Sequence, residues 1–269
     1  MSFLSNIPHT SSDSLFFIFQ GTKLIVNKTA SRVIVPSGKD IFGLGIEHSK
    51  PMFIGELDQK PCFCAKFLSS FSESQFFALH GLRELFGSLS EKVFKMAALG
   101  LQINNWEQVS KYCGKCGKHL HLMKTERAKK CLSCGHIEYP RISPAVIMAV
   151  TRDKKILLAR STRIKFSFYS VLAGYVEVGE TLEECVGREI SEEVGISVKN
   201  IQYFGSQSWP YTNALMIAFT AEHKSGEIRI DQNEILDAKW FYPDNLPQLP
   251  GWGSISRRLV DHFIQETVR

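Results

Sequence analysis

The sequence predicts an α+β protein in three parts, residues 1–108, 109–140 and 141–269, and three observations carry that division. Short apolar runs broken by turn residues fill the first part. Two C-x-x-C pairs occupy the second, and an acidic, glycine-bounded helical stretch set among strand signals dominates the third.

Composition bounds the class. The chain has 269 residues, 44% hydrophobic and 22% charged, which suits a soluble globular protein with more than one core. Its 32 basic and 27 acidic residues leave +5, too mild alone to argue for nucleic acid. No apolar run approaches the roughly 18 residues of a membrane span, and the first basic residue is Lys23, so no signal-peptide n-region is expected. A cytoplasmic, reducing location with no membrane partner follows. There, seven cysteines serve metal more readily than disulfides.

In chain order, residues 15–19, 24–26 and 32–35 read as strands, separated by Gly21 and by Pro36, Ser37 and Gly38. Residues 52–57 and 62–67 read as a hairpin turning through Asp58, Gln59 and Lys60. Cys62 and Cys64 alternate on one strand and share a side, and core packing is favoured for them over metal binding. From His80 to Trp106, Leu82, Leu85, Phe86, Leu89, Val93, Ala97 and Leu101 predict one helix. This first part carries no catalytic signature and reads as architecture.

In the second part, Cys113 and Cys116 are followed, after fourteen intervening residues, by Cys131 and Cys134. Two such turns present four thiolates to one centre, which matches tetrahedral Zn²⁺ with no open position, a structural site whose binding energy is folding energy. Gly117 and Gly135 follow the pairs, as tight ligand turns require. Two readings compete: a redox dithiol, which the presence of two pairs argues against, and a nucleic-acid-binding ribbon. Lys111, Lys115, Lys118, Lys124, Arg127, Lys129 and Lys130 keep the second open, although compensation of a doubly negative metal site plus a solvated surface explains them more plainly. His119, His121 and His136 are surplus to a full coordination sphere.

The third part opens with strands over 146–151 and 155–159 and reaches residues 174–196, GYVEVGETLEECVGREISEEVGI. Leu182, Val186, Ile190 and Val194 recur four apart with Cys185 beside them, one buried helical stripe from about Thr181 to Val194. Glu189, Glu192 and Glu193 stand at i, i+3 and i+4, so their carboxylates converge. Like charges so close repel until protonation or a cation relieves them, and hard oxygen ligands suit Mg²⁺ or Mn²⁺, which bridge to phosphates. Gly174 and Gly179 let the preceding loop fold tightly, and Gly195 is placed as a helix stop. Beyond lie a strand over 215–221, a polar hairpin at Ser225 and Gly226, a strand over 238–242, an irregular stretch 243–253, and a helix over 254–268. That helix is capped by Ser254, with Ile255, Leu259, Phe263 and Ile264 inward.

Written as G, five residues, E, seven residues, then R-E-I-x-E-E-x-G-I, residues 174–196 resemble the Nudix box with every fixed position filled. The cysteine ribbon running into YPRISPAVI (139–147), then YSVLAGYVE (169–177), narrows the resemblance to the NADH pyrophosphatase (NudC) subfamily, over residues 112–269, and the resemblance extends more weakly to residues 1–108, read as a NudC-like N-terminal domain. SQSWPYTNA (206–214) departs from that subfamily's S-Q-P-W-P-F-P-x-S at Ser208, Tyr211, Thr212 and Ala214, which leaves substrate preference open. The resemblance implies a Nudix α/β/α sandwich with a mixed sheet. It implies hydrolysis of the pyrophosphate of NADH or NAD⁺ to nicotinamide mononucleotide and AMP, with NAD-capped RNA as a related substrate, by a homodimer.

The same resemblance assigns Glu189, Glu192 and Glu193 to the catalytic Mg²⁺ or Mn²⁺, joined by Glu234 and the carbonyl of Ala173. Arg188 completes the catalytic set by orienting a neighbouring glutamate through a bidentate contact, and Glu193 or another of the group is the base. Tyr175 and Tyr139 are the stacking aromatics, with Gln207, Trp209, Pro210 and Ala214 completing the substrate-binding set. Arg163 and Lys165 are placed to meet phosphates. Core packing or a solvated loop is the competing role for these residues. Two other functions stand beside this one: a Nudix hydrolase of ADP-ribose or another nucleoside diphosphate derivative, and a zinc-ribbon RNA-binding protein with a vestigial Nudix domain. Intact Arg188, Glu189, Glu192 and Glu193 oppose the latter.

Overall fold

The computed structural model describes residues 8–28, 33–44, 46–68, 77–162 and 168–268, in two compact units, Met1–Arg141 and Ile142–Arg269. In the first unit β1 (Leu15–Gln20), β2 (Lys23–Lys28), β3 (Val33–Ile34), α1 (Gly38–Leu44), β4 (Met52–Leu57), β5 (Lys60–Lys66) and β6 (Phe77–Gly81) precede the helix α2 (Glu91–Val109). The sheet runs β3-β2-β1-β5-β4, with β6 also on β2, and its central pair β1 and β5 is parallel. The β1 sequence LFFIFQ is apolar on both faces because both are covered. Phe16 and Ile18 pack with Ile41 of α1, while Phe19 lies against Gly100 of α2. A Cβ on Gly100 would meet Cys64, Ile54 and Phe19 at 3.3 Å, so glycine lets that helix sit close to the sheet. Cys62 and Cys64 are fully buried, and burial pushes their thiols up to about 11 and about 12, which makes them core residues as expected. The β4–β5 hairpin turns through Asp58 and Gln59 alone, both at positive φ (47° and 65°), the backbone of a two-residue turn.

The single helix expected from His80 to Trp106 is a strand, a run of turns and a helix. His80 pairs with Leu24 of β2, residues 82–88 are turns, and α2 begins only after Ser90, whose hydroxyl accepts the Val93 amide at 3.4 Å. Leu82, Leu85 and Leu89 are buried all the same. Successive turns return to the core every three or four residues and so mimic helical spacing, while Gly87 at φ 81° breaks the helix path.

β7 (Leu120–Leu122), β8 (Lys129–Cys131) and β9 (Ile137–Glu138) form the small ribbon sheet, in that order. Lys129 does not belong to a solvated surface. Its ammonium is buried, 2.8 Å from the Glu107 carboxylate, and donates to the carbonyls of Glu107 (3.1 Å) and Ser110 (2.7 Å), with the Trp106 ring centroid 5.2 Å away. These carbonyls close α2, the end of a helix that favours a cation.

The second unit comprises β10 (Ser143–Arg152), β11 (Lys155–Ser161), β12 (Leu172–Tyr175), α3 (Leu182–Val194), β13 (Ser197–Trp209), β14 (Ala214–Ser225), β15 (Ile235–Phe241) and α4 (Ile255–Val268). Its sheet runs β13-β14-β10-β11-β15, with β12 also on β10; β10 and β14 are parallel and the other pairs antiparallel, so the sheet is mixed. Alternation along β10 serves two cores. Val146, Met148 and Val150 pack with Val186, Ile190 and Val194 of α3, while Ile147 and Ala149 pack with Leu259, Val260 and Phe263 of α4. The result is the expected α/β/α sandwich. The expected hairpin at Ser225 and Gly226 is absent from it: Ser225 pairs with Ser197 of β13, the chain leaves through Gly226 (φ 95°), and β15 joins the far side of the sheet against β11. Among the described residues no helix is long and apolar enough to cross a membrane.

Candidate active site

The acidic helix is fixed at both ends. The Thr181 hydroxyl accepts the Glu184 amide (3.2 Å) while the Glu184 carboxylate accepts the Thr181 amide (2.8 Å), a reciprocal cap, and Gly195 stops the helix at φ 71°. With Val186, Ile190 and Val194 turned into the core, Glu189 and Glu193 are drawn to its edge and buried, while the side chain of Glu192 stays 61% exposed.

Glu189 lies against β12. A Cβ on Gly174 would stand 1.8 Å from its carboxyl carbon, so this position admits glycine because the carboxylate fills the space, a sharper reason than loop flexibility. Burial pushes the Glu189 carboxyl above its ordinary range; Arg188 opposes the shift, and the charges of Glu192 and Glu234 add to it. Arg188 grips Glu180 with two nitrogens, Nε at 2.5 Å and Nη2 at 2.9 Å, and its Nη1 donates to both Glu189 and Glu192 at 2.9 Å. Nη2 also donates to the Tyr175 carbonyl at 3.0 Å, which ties helix to strand. The bidentate partner is thus Glu180, held down to about 2 chiefly by that guanidinium. Glu180 was not among the expected site residues, although it fills a fixed position of the 174–196 pattern.

The remaining expected residues are distributed as follows. The Glu193 carbonyl accepts the Asp231 amide (3.0 Å), and the Asp231 carbonyl accepts the amide of Glu234 (3.1 Å), so the turn before β15 brings Glu234 within electrostatic reach of Glu189. Ala173 sits on β12 opposite Ile147, and Tyr175, 47% exposed, opposite Ala145. Ala145 in turn faces Met216, and Met216 faces Gln207, so Tyr175 and Gln207 share one row across four strands. The amide of Gln207 is committed to the start of α4: its oxygen accepts the Ile255 amide (2.7 Å) and its nitrogen donates to the Gly253 carbonyl (2.9 Å). Trp209 is half-buried, edge-on to Tyr211 with centroids 5.1 Å apart, and Pro210 and Ala214 are buried. Tyr139 belongs to the first unit, exposed, its hydroxyl donating to Glu126 at 3.0 Å. Arg163 and Lys165 lie outside the described residues.

The four ribbon sulfurs lie within 4.8 Å of one another, a spacing that among the described residues no carboxylate group matches. Cys113 and Cys134 are 3.6 Å apart and Cys116 and Cys131 3.5 Å, close to the roughly 3.8 Å between thiolates held about 2.3 Å from a tetrahedral zinc. The amides of Gly117 and Gly135 close the two turns onto the carbonyls of Cys113 (2.8 Å) and Cys131 (2.9 Å), both glycines at φ above 70°.

Residues 141–263 match the NUDIX domain family model, and residues 13–106 match that of an NADH pyrophosphatase-like rudimentary NUDIX domain. The second match accounts for a feature the sequence did not disclose: the first unit repeats a helix-covered sheet around a parallel central pair, without the box. Among relatives, the NAD-capped RNA hydrolase NudC of Stutzerimonas stutzeri is 40% identical over 82% of this chain and 76% of its own length. The protein of that name from Escherichia fergusonii is 47% identical over 65% of this chain and 68% of its own. A solved NUDIX hydrolase from Nitrosomonas europaea is 22% identical over 59% of this chain and 90% of that one, with a TM-score of 0.48. By the matching domain and by relatives covered over most of their length, the chain belongs to the NudC branch of the Nudix hydrolases.

Proposed function

We propose that the chain hydrolyses the pyrophosphate bond of NADH and NAD⁺, giving nicotinamide mononucleotide and AMP, and removes the same cap from NAD-capped RNA. The observation that carries this reading is the Arg188 bracket, which holds Glu189 and Glu192 each 2.9 Å from one guanidinium nitrogen beside Gly174, in a chain whose relatives are named NAD-capped RNA hydrolases. Glu189, Glu192, Glu193, Glu234 and the Ala173 carbonyl make an all-oxygen donor set for Mg²⁺ or Mn²⁺; burial does most to raise the Glu189 carboxyl, and the charges of Glu192 and Glu234 add a repulsion that a cation relieves. Such ions, when bound, neutralise phosphate charge and acidify the attacking water.

Arg188, taken up by carboxylates and a carbonyl, orients the site rather than touching substrate. A carboxylate of this group, Glu193 first, takes the proton as water attacks phosphorus and the bond to the leaving nucleotide breaks. Tyr175 offers an exposed ring to a base, with Tyr139, Trp209, Pro210 and Ala214 in the substrate-binding set; Gln207 serves it through the start of α4. Cys113, Cys116, Cys131 and Cys134 would hold a structural Zn²⁺. The working parts are residues 1–108, 109–140 and 141–269, in a cytoplasmic homodimer; a strictly monomeric mass by light scattering at micromolar protein would refute the dimer.

The test is an assay of NADH, NAD⁺, ADP-ribose and NAD-capped RNA with Mg²⁺ or Mn²⁺, with Glu193→Gln as control. Cleavage of NADH with a nearly inactive variant is expected. Equal turnover by the variant sinks the metal assignment, and exclusive turnover of ADP-ribose sinks the substrate.

A further inference from the structure

Glu234 stands apart from the other carboxylates of the site. Glu189, Glu192 and Glu193 share one helix, whereas Glu234 enters from the turn before β15, so more than α3 must fix where its carboxylate lies. Two sets of hydrogen bonds hold that turn.

The first set ties it to α3. The Arg229 amide donates to the Val194 carbonyl (2.9 Å) and the Asp231 amide to that of Glu193 (3.0 Å), two of the carbonyls that a helix end leaves without a partner of its own. The Asp231 carboxylate accepts the backbone and the side-chain amide of Asn233, each at 2.9 Å. Its carbonyl accepts the amides of Glu234 (3.1 Å) and Ile235 (2.8 Å), which draws residues 231–235 into one tight turn.

The second set reaches the turn from Thr162, just past the end of β11. The Thr162 amide donates to the Glu234 carbonyl at 2.9 Å, and its hydroxyl lies 2.9 Å from the Asn233 carbonyl and 3.2 Å from that of Glu234. The hydroxyl has one proton, which these two acceptors share. β15 is bulged next to this grip: Arg160 pairs with Asp237 but Ser161 with Ile235, so Leu236 is the extra residue, 51% exposed. Trp240 and Ala238 pack on the α3 side, and strict alternation would send Leu236 there next; the bulge sends Ile235 instead. Glu234 therefore follows directly on a residue anchored in the α3 core, with Thr162 holding its backbone from the other side.

We propose that Thr162 is a positioning residue for Glu234. By gripping the carbonyls of Asn233 and Glu234, its hydroxyl sets where the Glu234 carboxylate joins the metal-binding set, without touching metal or substrate. The proposal rests on the reading of Glu234 as a ligand for Mg²⁺ or Mn²⁺, and a double-mutant cycle tells the failure of one from the failure of the other.

Mn²⁺ is titrated into the full chain and into Thr162→Val, Glu234→Gln and the double variant, with free Mn²⁺ read by electron paramagnetic resonance. NADH turnover is followed on the same samples. Valine keeps the shape and the backbone amide of threonine, so only the hydroxyl is lost. Thr162→Val is expected to weaken Mn²⁺ binding about tenfold, the lower end of the effect of groups that orient metal ligands, because this hydroxyl is exposed. The Mn²⁺ needed for half-maximal turnover should rise by the same factor, while KM for NADH at saturating Mn²⁺ changes by less than about twofold. Thr162→Ser restores the hydroxyl and should bind Mn²⁺ within about twofold of wild type. In the Glu234→Gln background the valine should add nothing, because the residue through which Thr162 acts is gone. Wild-type Mn²⁺ binding by Thr162→Val, a serine variant as impaired as the valine, or a valine effect that persists in full beside Glu234→Gln would overturn the proposal. Unimpaired Mn²⁺ binding by Glu234→Gln refutes the ligand reading and the proposal with it, whereas an impaired Glu234→Gln beside an unimpaired Thr162→Val overturns the positioning alone.

Discussion

The carboxyl carbon of Glu189 stands 1.8 Å from where a side chain on Gly174 would begin. A methyl group there must displace the carboxylate, and the displaced atoms are the far end of a flexible chain, so folding loses little. Gly174→Ala should therefore lower kcat by about a hundredfold or more, the scale on which a misplacement of about 1 Å acts, with stability changed by less than about 1 kcal/mol. Turnover and thermal melting of one sample separate the two effects; near-normal turnover would show that Glu189 is not where it is needed.

Glu180 should matter to both catalysis and acid tolerance. The Arg188 contact holds its carboxyl down to about 2 from an ordinary 4.5, so the folded state favours the ionised form. That stabilisation is fully present above pH 4.5 and is lost as pH falls toward 2. Glu180→Gln lacks it, so the stability gap between wild type and variant, from denaturant titrations, should narrow below pH 4.5. Turnover near neutral pH should drop with KM little changed, because Arg188 loses its anchor rather than a substrate contact. A gap independent of pH would contradict this account.

Lys129→Met should cost about 2–3 kcal/mol, below the range for wholly buried pairs because the Glu107 side chain is 37% exposed. The methionine fills the space over Trp106 but leaves the carbonyls of Glu107 and Ser110 without their cation. Calorimetry reads the loss. A melting temperature equal to that of the wild type would mean that the buried pair contributes nothing.

Thiol chemistry should divide the seven cysteines in two. Cys62, Cys64 and Cys185 are fully buried, their thiols raised chiefly by burial to about 11, 12 and 12, and should resist a disulfide reagent until denaturant is added. The four ribbon thiols should become reactive when a chelator removes metal. Rapid labelling of Cys185 in the folded protein, located by mass spectrometry, would be the contrary result.

The site was legible in the sequence where chemistry demands fixed spacing. Arg188 beside Glu189 and Glu192, the four cysteines drawn together, the helix stop at Gly195 and the cap at Ser254 each follow from one residue type at one offset; the Thr181 cap on the same helix as Gly195 was not anticipated. Edge and turn elements were not legible. β13 is exposed at alternating and adjacent positions along its length, as an edge strand is, and offers no apolar period. Residues 82–89 bury leucines at helical intervals without being helical. Contacts between distant segments were invisible for another reason. The Gln207 clamp on Ile255 and the Lys129 contact with Glu107 link residues 48 and 22 apart, a pairing only the folded backbone specifies.

The parallel pairing of β10 with β14 decides when a newly made chain becomes competent. The box lies on the long connection between those two strands, and Glu234 follows both. Parallel strands meet only after their crossover is complete, and such non-local contacts form late. A ribosome-bound chain that has emerged through Ile196 therefore displays every residue of the box while β13, β14 and β15, half of the strands of its supporting sheet, are not yet free to pair. Truncated products should be inert rather than weakly active, which spares the cell a stray pyrophosphatase from incomplete synthesis.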